Sequence, residues 1–87
     1  MSASVRKMNT SVPRSAEEPR NFLQLGIACS TGARGSADMV AAHKWFNLAA
    51  MHGNGEAALL RREIAAEMSA PEIAAAQRAA RDWVTLH

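Results

Sequence analysis

Apolar residues recur along this chain at steps of three and four, the spacing of helices that bury one face. They fall in four stretches. Phe22, Leu25, Gly26 and Cys29 stand at i, i+3, i+4 and i+7 and predict a first helix from about residue 20. Gly32, Ala33, Arg34 and Gly35 interrupt it, with Gly32 suited to the left-handed residue that closes a helix. Met39, Ala42, Trp45 or Phe46, and Ala49 form the apolar stripe of a second helix, expected from about Ser36 or Ala37 to His52. Asp38 falls in its first turn, where a carboxylate meets the positive end of the helix dipole. Gly53, Asn54 and Gly55 end that helix. Ala57, Leu60, Ile64 and Met68 share one side of a third, from about Glu56 to Met68. Ser69-Ala70-Pro71-Glu72 is a capping box with proline in the first turn, and it opens a fourth helix whose apolar side is Ile73, Ala76, Ala80, Trp83 and Val84. The fold class expected is all-α, four short antiparallel helices joined by short turns.

Composition supports helix over strand. Alanine dominates the second half, tyrosine is absent, and Pro71 is the only proline after Ser36. Up to about Pro19 the chain is polar and shows no apolar period, so residues 1–19 are expected to form a disordered tail and residues 20–87 the helical domain. At 87 residues there is room for one domain. Cys29 is the only cysteine, which excludes an internal disulfide and suits a reducing, cytoplasmic setting. No apolar run is long enough for a signal peptide or a membrane span.

Charge is uneven. Arg6, Lys7, Arg14 and Arg20 face only Glu17 and Glu18 in the first twenty residues, whereas six basic and six acidic side chains balance over the remainder. The formal excess of +2 therefore belongs to the tail. A nucleic-acid interface needs clustered positive charge, which the helical part does not offer.

Leu25-Gly26, Gly32, Asp38, Ala42, Trp45, Ala49-Ala50, Gly53 and Ala57 stand at the mutual spacings of a short helix-turn-helix repeat. The segment from Asn21 to Ala57 thus resembles the Sel-one-like repeat, a relative of tetratricopeptide arrays. That makes residues 20–57 a repeat-like hairpin and residues 56–87 capping helices. Small residues at Gly26, Ala42, Ala49 and Ala50 would let two helices approach closely, with Trp45 covering the groove between them. The sequence departs from the family at Cys29, where a bulky aromatic is usual, and at Asn21, where a small residue is usual. In the loop a second glycine is expected at Arg34 and an apolar anchor at Gly35, so that pair is effectively exchanged. A further repeat would place its Leu-Gly at Arg61-Arg62, and the array stops there.

The resemblance implies a bacterial, cytoplasmic protein-binding adaptor or assembly element, with no catalysis, no cofactor and no metal. In such arrays the first helix often lines the binding surface. Applied here, that gives Gln24, Ile27, Ala28 and Thr31 as candidate contacts, opposite the packing stripe. Trp83, Val84 and Leu86 span nearly a whole turn and cannot all face one core, so Val84 and Leu86 join the candidates. The partner expected is another protein; a homodimer through the last helix competes with a fold-back that leaves a monomer, which the capping box favours. His43, His52, His87 and Cys29 match no zinc spacing, and His43 and His52, nine apart, point to opposite helix faces. No glycine loop has the Lys-Ser/Thr of a phosphate site. Glu63 and Glu67 read as a solvated edge. The alternative function is nucleic-acid association through the basic tail.

Overall fold

Three side-chain caps decide where the last three helices begin. The computed structural model describes residues 21–33 and 35–86. Within them lie four helices and no strand: α1 (Phe22–Thr31), α2 (Met39–Met51), α3 (Gly55–Ala65) and α4 (Ala70–Leu86). The expected tail, residues 1–19, lies outside the described residues, as do Arg34 and His87.

Asp38 is extended and sits one position before α2, not in its first turn; its carboxylate accepts from the Ala41 N–H at 3.0 Å. The residue expected to favour the dipole thus also satisfies one orphan donor, and α2 begins two to three residues later than expected. Asn54 does the same for α3, accepting from the Ala57 N–H at 2.8 Å. Its role was hidden in a segment read only as a helix stop. The capping box forms reciprocally, with the Ser69 N–H donating to Glu72 Oε1 at 2.8 Å and the Glu72 N–H to Ser69 Oγ at 3.2 Å.

The exits rest on glycine. Gly32 has φ +76° and closes α1, while the Ala33 N–H reaches back to the Ala28 carbonyl at 3.1 Å. After α2, Gly53 has φ +94°; its N–H bonds the Ala50 carbonyl at 2.9 Å and the Asn54 N–H bonds that of Ala49 at 3.1 Å. This is the paired closure of a Schellman motif. One dipeptide, Gly53-Asn54, therefore closes α2 and opens α3.

Helix α2 is the hub, and α1, α3 and α4 each pack against it. The start of α1 lies near the end of α2, since Phe22 meets His52 with ring centroids 5.7 Å apart, and the Asp38 N–H bonds the Cys29 carbonyl at the opposite end. The two helices are therefore antiparallel. The core joins Phe22, Ala42, Phe46, Leu48, Ala49, Ala57 and Ala80, with Leu25, Cys29, Trp45, Leu60, Ile64 and Trp83 packed around it. Phe46 and Leu48 are fully buried, and burying each stabilises the fold by roughly 1.5–3 kcal/mol.

Gly26 meets Phe46. A Cβ placed on Gly26 would overlap Cδ1 and Cε1 of that ring, so glycine is required by contact. The close approach expected at Gly26 is thus present, with a corrected partner. Trp45 is only half-buried, and it stacks on Phe22 at 5.5 Å and meets Trp83 edge-on at 4.9 Å. Neighbours on a helix point about 100° apart, so Phe46 enters the centre of the interface while Trp45 packs at its edge.

Candidate functional site

Helices α1, α2 and α3 leave a groove of about 480 Å³ between them. Its floor is apolar, formed by Ile27, Met39, Phe46, Leu60 and Ile64. Each comes from the helical period: Leu60 and Ile64 are four apart on α3, and Ile27 follows Gly26, whose missing side chain seats Phe46. Ser30 and Thr31 edge the α1 side, and both hydroxyls fold back to donate to the Ile27 carbonyl, at 3.0 and 2.9 Å. The α3 side carries Glu56, Glu63 and Glu67, all exposed. None of the described residues lining the groove is basic.

The four candidate contacts of α1 therefore divide. Ile27 and Thr31 line this groove, whereas Gln24 is exposed outside it and Ala28 is half-buried outside it. Neither α4 nor any other described helix covers the groove, because α4 packs on α2 with Trp83 edge-on to Phe22 at 6.1 Å. Val84 belongs to a second groove of about 420 Å³ between α2 and α4, with Met51, Gln77 and Ala80, where Arg81 is the only charged side chain among the described residues. Leu86 projects beyond it, 78% exposed. Of the residues expected to shape the hairpin, Ala42, Ala49 and Ala57 are buried, Leu25 and Ala50 half-buried, and Gly32 and Gly53 have left-handed backbone after α1 and α2.

Two polar features of α2 were not anticipated. Lys44 lays its ammonium 4.0 Å from the Trp45 ring centroid and 5.6 Å from that of Trp83, a cation–π arrangement. Burial lowers its pKa below the usual lysine value, while Cys29 and Asp38 act in the opposite sense. His43 is buried, and its Nδ1 has no hydrogen-bond partner among the described residues. Burial, and after it the positive charge of Arg61, pushes His43 below the ordinary value of 6.5. Arg61 itself joins α3 to α2, donating to Asn47 Oδ1 at 2.7 Å. Arg61 is therefore a clasp between helices.

His52 donates from Nδ1 to the Leu48 carbonyl oxygen of its own helix end at 2.9 Å, and packs against Phe22. Among the described residues no three His, Cys, Asp or Glu side chains come together as a metal site, and none of the described helices is long and apolar enough to cross a membrane. The chemistry on offer at the groove is an apolar floor, hydroxyls committed to the backbone, and three exposed carboxylates on one edge. Comparison with protein-family models, with curated proteins and with solved structures gave no match.

Proposed function

We propose that this chain is a non-catalytic protein-binding module, a cytoplasmic adaptor or assembly element. The observation that carries the reading is the open apolar groove between α1, α2 and α3, which takes in Ile27 and Thr31 of the face expected to bind. Grooves of this kind accept an amphipathic helix or strand from a partner by burying its apolar side. The Sel-one-like spacing from Leu25 to Ala57 supports the same reading, since such repeats serve as binding scaffolds. Val84 and Leu86 offer a second, smaller apolar surface. The nucleic-acid alternative rests on the basic tail, and the described residues add nothing in its favour.

The test is affinity capture with the intact chain as bait, in parallel with Thr31→Arg and Leu86→Glu. A partner retained by the intact chain and by Leu86→Glu but lost with Thr31→Arg is the expected result. Loss with Leu86→Glu alone moves the site to α4. Binding of duplex DNA below micromolar at physiological salt, with no protein captured, overturns the reading.

A further inference from the structure

The α1–α2–α3 groove is chemically one-sided. Glu56 and Glu63 are seven residues apart on α3, two helical turns, or about 10.5 Å along the axis. Glu67 continues the row into the turn after Ala65, where the negative end of the α3 dipole adds to its charge. Glu63 in the last turn of α3 and Glu67 in the turn that follows are like charges four residues apart, and a cation between them would offset their repulsion. None of the three makes an ion pair with a described residue. Leu60 and Ile64 run parallel to this row, one helical step toward the groove floor.

We infer that the groove receives a basic amphipathic helix from another protein, a reading that rests on the protein-binding function proposed above. Apolar side chains of the incoming helix cover Ile27, Met39, Leu60 and Ile64. Lysines or arginines two turns apart along its edge then meet Glu56 and Glu63, and a further cation lies between Glu63 and Glu67. The same row of carboxylates repels the phosphates of nucleic acid or of an anionic lipid surface. The α2–α4 groove lacks this selectivity, because Arg81 is the single charged side chain among the described residues that line it.

Two synthetic helical peptides of about 18 residues test the assignment. Both carry leucines at i, i+4, i+7 and i+11; one has lysines flanking that stripe at two-turn spacing and the other glutamates. Each is titrated into the isotope-labelled intact chain and into Glu63→Lys/Glu67→Lys, whose two exposed positions leave the core untouched. The lysine peptide binds the intact chain and shifts resonances of Ile27, Thr31, Leu60 and Ile64. Its affinity falls about tenfold or more in the charge-reversed variant and weakens with salt, while the glutamate peptide gains.

Equal affinity of both peptides for both chains overturns the inference, as does the absence of binding at about 1 mM peptide. Shifts centred on Val84 also overturn it, while leaving the protein-binding reading intact. Two controls address occupants within the chain itself. If replacing Arg6, Lys7, Arg14 and Arg20 by Gln moves the groove resonances without peptide, the occupant is the chain's own tail. If Glu63→Lys/Glu67→Lys abolishes a concentration-dependent increase in sedimentation, the occupant is a second copy. Either result removes the heterologous partner.

Discussion

Helix α2 holds α1 and α4 by opposite means. Toward α1 the contact is made by an absence: Gly26 has no side chain, and the fully buried ring of Phe46 fills the space. Toward α4 the contact is made by small residues, Ala76 and Ala80, with Trp83 reaching over to Phe22 and Trp45 and with Val84 and Leu86 left outside. A glycine–phenylalanine lock admits one register and one distance. An alanine seam under an aromatic lid tolerates sliding, because few of its atoms interpenetrate. The first interface therefore fixes the fold and the groove beside it, whereas the second sets how firmly the C-terminal helix is held.

Breaking the lock should produce the largest effect. Phe46→Ala removes a buried ring at a cost of about 3–5 kcal/mol, comparable with the whole stability of a small domain, so the chain is expected to lose cooperative unfolding. Gly26→Ala is the sharper test. Alanine gains about 1 kcal/mol of helix propensity over glycine, yet the overlap with Phe46 costs roughly 1–3 kcal/mol or more, and net destabilisation is expected. Gly26→Ala combined with Phe46→Leu should recover part of that loss relative to adding the two single effects. Urea unfolding of the four proteins checks it, and a stabilised Gly26→Ala would show that the helices are free to separate.

The aromatic lid comes next. Trp45 and Trp83 are each half-buried, so Trp45→Ala and Trp83→Ala should cost about 2 kcal/mol, below the range for a fully buried tryptophan. Because the rings touch, the double variant should lose less than the sum, by the roughly 0.5–1.5 kcal/mol of an aromatic pair. Full additivity in thermal unfolding would place α4 away from the hairpin.

How much of this was visible in the sequence follows from the range of the interactions. The Ser69 capping box, the Gly32 and Gly53 closures and the helical stripes are local, and each is a matter of residues within a few positions. The spacing also marked Gly26 as a point of close approach. It favoured Trp45 as the core residue where the structure fully buries Phe46 and leaves Trp45 half-buried, because adjacent positions straddle the edge of a stripe and the decision belongs to the neighbouring helix. Glu63 and Glu67 are solvated, as their pattern suggests. That they border an apolar groove depends on Ile27 and Met39, which lie 24 or more residues earlier in the chain. His43 showed no signal at all: a histidine on the second helix reads the same whether its ring is buried or wet.

That histidine gives a prediction inside the hub itself. Its folded-state pKa is depressed by burial and by Arg61, below the 6.5 it regains on unfolding. Above about pH 6.5 it is neutral in both states and has no effect on pH dependence. Below that value the unfolded chain takes up a proton that the folded chain refuses, so stability falls as pH drops toward the folded pKa. His43→Leu replaces a buried ring whose Nδ1 has no partner among the described residues by an apolar side chain, an exchange expected to be neutral or stabilising. Urea midpoints at pH 7.5 and 5.5 should differ less in the variant than in the parent chain. An unchanged difference would assign the acid sensitivity to other groups.

The smallest effect is expected at the end of α4, and it separates a loosely held helix from an interface between copies. Trp83, the largest apolar residue of the last turns, faces Phe22 and Trp45, leaving Val84 at 49% and Leu86 at 78% exposure. Two exposed aliphatic residues at the end of one helix are ordinary on a monomer surface and do not by themselves make an interface. Leu86→Glu should therefore change stability by no more than about 0.5 kcal/mol. The parent chain and the variant should also sediment alike as monomers up to about 100 μM, where association weaker than about −5.5 kcal/mol leaves no dimer. A parent chain that grows heavier with concentration while Leu86→Glu does not would place Leu86 inside a homodimer. The alanine seam between α2 and α4 would then be the joint across which the C-terminal helix reaches its second partner.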